Sequence, residues 1–126
     1  MNLIIKTLIF AIVMVIIDVP WIKFVMSKLY KNVFTIKISV VPAILAYLSM
    51  IIVYPFIISK FKSRNEQIKI AFVLGLAIFG CYGFTLAAIY PKYPMKTAIA
   101  ETAWGAILYS ITCFISYYII KLLERK

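Results

Sequence analysis

Four apolar runs, about Leu3 to Ile22, Ile38 to Ser59, Ile68 to Tyr90 and Thr97 to Ile120, divide the chain, and each is close to the length of a membrane span. A hydrocarbon layer about 30 Å thick takes roughly 20 helical residues to cross. In lipid only a helix or a closed barrel satisfies its own backbone hydrogen bonds, and a barrel shows short alternating segments rather than long unbroken runs. The expected fold is therefore all-α: an integral membrane antiparallel four-helix bundle, with residues 1–126 forming a single domain. Short connections make neighbouring helices antiparallel, which gives an up-down-up-down order.

Composition agrees with lipid as the solvent. Of the residues 65% are hydrophobic and mean hydropathy is +1.03, well above the roughly 45–50% apolar share of soluble globular chains. The net charge of +10, from 14 Lys and Arg against 4 Asp and Glu, could point to nucleic acid, but the basic residues sit at the ends of apolar runs instead of along one face. There they snorkel to the interface and meet anionic lipid headgroups. The expected partner is the lipid bilayer, not nucleic acid. The first run is longer than a signal-peptide core, and Asp18-Val19-Pro20-Trp21 is unlike a small-residue cleavage site, so this run is expected to be retained as a span.

The breaks carry the polar residues. Lys23 to Lys37 is basic and is expected to hold a short interfacial turn; Lys60 to Gln67 is the most hydrophilic stretch; Tyr90-Pro91-Lys92-Tyr93-Pro94 is a tight turn with an interfacial aromatic pair. With four spans, both termini share a side with the second loop. That side collects Lys6, Lys60, Lys62, Arg64, Lys69, Lys121, Arg125 and Lys126, against Lys23, Lys28, Lys31, Lys37, Lys92 and Lys96. Eight against six favours cytoplasmic termini under the positive-inside rule.

With no His, metal chemistry lacks its commonest ligand, and no metal or cofactor is expected. Cys81 and Cys113 each lie inside an apolar run and read as small apolar fillers, not a disulfide framework. Of the four acidic residues, Glu66 lies in a hydrophilic break and Glu124 in the basic tail, where both read as solvated charges. Asp18 and Glu101 lie inside or at the edge of spans, where a charge is costly and normally faces the bundle interior or water. Topology brings the end of the first helix and the start of the fourth to the same membrane side. Each carboxylate is followed three residues later by tryptophan, Trp21 and Trp104, on the same helical face. Tyr82 and Thr85 late in the third helix, and Pro42 and Tyr47 early in the second, fall at the same level. The expectation is a polar pocket in one half of the bundle, lined by Asp18, Trp21, Tyr47, Tyr82, Thr85, Glu101 and Trp104. A purely structural reading stands beside it: Asp18 bonds backbone freed by Pro20, Glu101 pairs with Lys23 or Lys96, and the tryptophans belong to an aromatic belt.

Small residues recur at four-residue spacing: Ala98, Thr102, Ala106 and Ser110 on the fourth helix, Ala71 with Gly75 and Gly83 with Ala87 on the third. Such stripes let backbones approach closely. They are expected to build the bundle itself, with a homo-oligomer or membrane-partner interface as the alternative.

With these residues in view, the chain resembles the domain-of-unknown-function-2177 family of small predicted four-span membrane proteins. Asp18-Val19-Pro20-Trp21-Ile22 is similar to that family's Asp-x-x-Trp-Leu, followed by Tyr30, Pro42-Ala43, Tyr47 and Leu74-Gly75. Tyr82-Gly83-Phe84-Thr85-Leu86-Ala87-Ala88 resembles Tyr-Asp-Leu-Thr-Asn-Leu-Ala, Tyr93-Pro94 stands at Trp-Pro, and Glu101-Thr102-Ala103-Trp104-Gly105 at Asp-x-x-Trp-Gly. Gly83 and Leu86 replace an acidic residue and an amide of the pattern, and Glu101 replaces Asp. The resemblance implies a fold and a polar site without implying a reaction.

Three functions follow from the residues. In the first, small-solute, cation or proton transport uses Asp18 and Glu101 as exchanging groups. In the second, the chain is a structural or accessory membrane protein whose polar cluster fixes helix register. The third, a lipid-modifying enzyme, ranks below these, since no Ser or Cys has an adjacent His and no Gly-rich phosphate loop occurs.

Overall fold

A computed structural model describes residues 2–29 and 39–125. Helix α1 (Leu3–Trp21) continues through a π-helical turn (Ile22–Met26) into α2 (Ser27–Leu29). The second segment is α3 (Val40–Ile51), α4 (Val53–Phe56) and a 3₁₀ turn (Ile58–Lys60); α5 (Arg64–Ile89) and α6 (Met95–Glu124) complete the chain. Among the described residues, four helical segments are long and apolar enough to cross a membrane: Leu3–Val25, Val40–Lys60, Arg64–Ile89 and Met95–Glu124. The expected all-α four-span bundle is the observed one.

Two helix ends differ from expectation. The polar residues Arg64 to Gln67 form the first turn of α5 instead of a loop: the Ser63 hydroxyl accepts from the Glu66 amide at 3.1 Å, and Gln67 Nε2 donates to the Phe61 carbonyl at 2.7 Å. Ser63-x-x-Glu66 is a helix-start signal, and a carboxylate in the first turn suits the positive end of the helix dipole. At the other membrane face the helix does not stop at Ile22 but stays helical to Leu29. Pro20, which has no N–H to give, precedes the point where α1 widens into the π-helical turn. Tyr30 and the rest of the turn expected up to Lys37 lie outside the described residues.

The exterior is apolar. Leu8, Ile12, Ile16, Leu45, Leu48, Val73, Ile107 and Phe114 all point outward, whereas Asp18, Thr97, Glu101, Thr112 and Ser116 are buried. That distribution suits a solvent of lipid tails, which reward apolar contact and penalise polar groups.

Helices α5 and α6 form the most extensive interface. At its centre Gly75 meets Gly105: a Cβ on Gly105 would lie 2.6 Å from the Gly75 carbonyl oxygen, and one on Gly75 would fall on the Gly105 carbonyl. Hydrocarbon gives helices no hydrophobic reason to associate, so close backbone contact has to supply the attraction. Ala71, Gly83, Ala98 and Ala106 are buried, and Ala87 is half-buried. Thr102 and Ser110 are half-buried and return their hydroxyls to the Ala98 and Ala106 carbonyls at 2.8 and 2.7 Å. Aromatic rings fill the half of the bundle where α1 begins and α6 ends. There Phe10 stacks on Tyr54 with centroids 4.7 Å apart, and Tyr109 donates to the Met50 carbonyl at 2.5 Å, near the break between α3 and α4.

Two predictions follow from this packing. Gly105→Ala forces the α5–α6 crossing apart and lowers unfolding free energy in detergent by about 1–3 kcal/mol, the range for overpacking. Gly80→Ala, whose Cβ would come no nearer than 3.3 Å to a neighbour, the Thr102 methyl, costs less. Thr112 and Ser116 bury hydroxyls that find no partner among the described residues. Thr112→Val is therefore neutral or stabilising in the same assay, because it removes an unpaired polar group while keeping the side chain's shape.

Candidate functional site

Asp18 lies in the last turn of α1 and is only 5% exposed. A carboxyl at this depth must turn from lipid toward neighbouring helices, and it finds one donor on each of two other spans. Tyr47 on α3 donates its hydroxyl to Oδ2 at 2.7 Å, and Trp104 on α6 donates Nε1–H to Oδ1 at 2.9 Å. Trp21, three residues beyond Asp18 and on the same face, stacks on Trp104 with centroids 4.4 Å apart and planes 3° from parallel. One carboxyl thus ties α1, α3 and α6 together, and a pair of indoles covers it.

The two donors are chemically unequal. An indole N–H only donates, so Oδ1 must remain an acceptor; a phenol both donates and accepts. A proton arriving on Oδ2 can therefore be donated to Tyr47, whose hydroxyl rotates, and neither hydrogen bond is lost. The site can hold either protonation state without rearranging its helices.

Glu101 occupies a second node on α6, three residues before Trp104. It is 5% exposed and Tyr93, buried in the turn before α6, donates to its Oε2. Gly83 on α5 leaves room for it, since a Cβ there would lie 3.3 Å from Oε2. Thr97, one turn earlier on α6, is fully buried with no hydroxyl partner among the described residues.

Of the residues expected to share a pocket, Asp18, Trp21, Tyr47 and Trp104 meet in one cluster. Glu101 has the separate partner Tyr93. Tyr82 and Thr85 lie on the outward face of α5, with Tyr82 54% exposed, and Pro42 is exposed on α3. Sequence reasoning assigned Tyr93 to the turn and missed it as the Glu101 partner. Its signal was an aromatic hydroxyl just before the Pro94 that caps the helix carrying Glu101. Beside the Asp18 cluster, an open groove of about 400 Å³ runs between α1 and α3, lined by Val15, Val40, Ala43, Ile44, Tyr47 and Leu48. No residue of α3 is buried.

Side-chain hydrogen bonds between membrane helices average about 0.6 kcal/mol in double-mutant cycles, with a maximum near 1.7. Tyr47→Phe should destabilise the bundle within that range in detergent unfolding. The effect should vanish in an Asp18→Ala background, where the acceptor is already gone.

A family model described as "Predicted membrane protein (DUF2177)" matches residues 3–118, a stretch that includes Asp18, Tyr47, Tyr93, Glu101 and Trp104. Comparison with curated proteins and with solved structures gave no match. The chain belongs to the DUF2177 family of predicted multi-pass membrane proteins.

Proposed function

We propose that this protein moves protons or small cations across its membrane, with Asp18 as the exchanging group and α3 as the moving element. The observation that carries the reading is the attachment of α3. It has no buried residue and touches α1 sparsely; Met50 and Ile51 at its end pack on the core, and its earlier turns are tied to the bundle by the hydrogen bond from Tyr47 to Asp18. Elements with few buried contacts lie at the low-stability end of a fold, where local opening is cheapest. Displacement of α3 along the groove would uncover Asp18, and its return would close Tyr47 over either protonation state. Glu101, in the same half of the bundle, is a second candidate acceptor. The greater number of basic residues beside the termini supports a cytoplasmic placement of both.

One observation favours a second reading. Both carboxylates accept hydrogen bonds from protein donors, as a register-fixing cluster in a structural or accessory protein would require. In that case the exposed side of α3 would meet a partner, which crosslinking in native membranes would detect.

Asp18→Asn separates the two. The amide mimics the protonated acid: its oxygen accepts from Trp104 and its N–H₂ donates to Tyr47, so the fold is retained while proton exchange is abolished. In proteoliposomes with an imposed pH gradient, the transport reading expects Asp18→Asn to lose flux with little change in unfolding midpoint. Tyr47→Phe should slow flux, and Glu101→Gln should reduce it if the second node takes part. Wild-type flux in Asp18→Asn would refute transport through this group and leave the accessory reading.

A further inference from the structure

At the bundle end opposite Asp18, where α1 begins and α6 ends, a polar cleft of about 230 Å³ lies between both helices, the 3₁₀ turn and the residues leading into α5. Its charged lining is Lys6, Lys62, Lys121 and Glu124, three cations against one carboxylate, which leaves two positive charges in excess. We infer that this cleft is a phosphate-binding site that takes the headgroup of an anionic phospholipid.

Three features support a built site over scattered surface charge. The lysines come from three separate parts of the chain: the second turn region of α1, the linker before α5 and the last turn of α6. Two of the ammonium groups are held by neighbours, Lys6 by Glu124 at 3.5 Å and Lys121 over the Tyr117 ring at 5.5 Å. A neutral donor stands beside them: Gln67 gives one Nε2–H to the Phe61 carbonyl at 2.7 Å and keeps a second N–H that can serve a phosphate oxygen. Lysines at a membrane boundary are attracted to an anionic surface, and convergence on one cleft concentrates that attraction.

The cleft's position selects a lipid over free phosphate. Its remaining wall includes Phe61, Ile120 and the buried Tyr54, and below it lies the apolar core in which Phe10 stacks on Tyr54. The helix ends that border the cleft expose Leu3, Ile4, Leu8, Leu122 and Leu123, so a headgroup held by the lysines leaves its acyl chains an apolar outer surface to run along. Glu124 competes with the incoming anion for Lys6, so headgroup binding would exchange the Lys6–Glu124 pair for a Lys6–phosphate contact.

The test measures thermal unfolding of the full chain in phosphatidylcholine nanodiscs, with and without phosphatidylglycerol. The wild type should gain several degrees from phosphatidylglycerol, because a ligand that binds only the folded state stabilises it. Lys62→Gln/Lys121→Gln should lose at least half of that gain. Lys92→Gln/Lys96→Gln, which removes the same charge from the far end, should keep it. Glu124→Gln removes the competing carboxylate and should enlarge the gain even if the lysine pair proves needed for folding. Equal gains in the two lysine double variants would reduce the effect to generic surface charge and overturn the site, as would an unchanged gain in Glu124→Gln. If inorganic phosphate in phosphatidylcholine discs alone reproduces the gain, the headgroup assignment fails.

Discussion

Hydrocarbon offers no hydrogen bonds, and most of this structure follows from that. A span must close its own backbone ladder, which makes it a helix, and a carboxyl within it must turn from lipid toward partners inside the bundle. Asp18 shows the consequence. Its carboxyl cannot face outward, so it turns to Tyr47 and Trp104, and in doing so joins three spans through one group. The apolar side chains are released to the outside, where lipid receives them. Hydrophobicity thus selects the spans but does not decide which faces meet, since Leu on lipid and Leu on Leu are nearly equivalent.

Backbone proximity and polar pairing make that decision, each in its own part of the bundle. At the α5–α6 seam two glycines remove the side chains that would separate the helices. Elsewhere, aromatic hydroxyls and an indole reach across between spans, Tyr109 to Met50 and the pair around Asp18, while Tyr93 fastens the turn before α6 to Glu101. The second span lacks a comparable seam along α3: its buried anchors, Tyr54 and Ile58, come after α3, whose earlier turns rely on the reach of Tyr47. An open apolar groove at the same position is the physical counterpart of that weak attachment.

These differences explain which parts of the molecule were legible in sequence. Span number and order came from run length, a strong one-dimensional signal. Helix ends did not, because hydropathy marks where the chain enters lipid, whereas Ser63 with Glu66 and the π-helical turn after Pro20 mark where hydrogen bonding begins and changes. Topology placed Asp18, Trp21, Tyr47 and Trp104 at one level, and the structure joins them. The same argument placed Tyr82 and Thr85 there too. Level alone does not give azimuth: with Gly75, Gly80 and Gly83 turned inward on α5, Tyr82 and Thr85 fall on the outer face. Gly105 was visible within the family-like motif, but its role depends on the residue across the seam, which one helix cannot reveal.

Azimuth also gives a physical meaning to the chain's departures from the family pattern it resembles. At Gly83 the pattern carries an acidic residue, and at Glu101 it carries the shorter Asp. In this structure a Cβ at position 83 would stand 3.2 Å from the Ala98 Cα and 3.3 Å from Glu101 Oε2. An acidic side chain there would drive a second carboxylate against Glu101, in a medium where like charges repel strongly. The longer Glu101 reaches into space that a residue larger than glycine would fill. The absence of a side chain at 83 therefore leaves open the space beside Ala98 and Glu101 Oε2. Tyr93, donating to Oε2, gives this carboxyl a hydrogen bond inside the bundle. The second node differs from the pattern in residue identity but still presents a buried carboxyl on α6, one turn from the indole that holds Asp18.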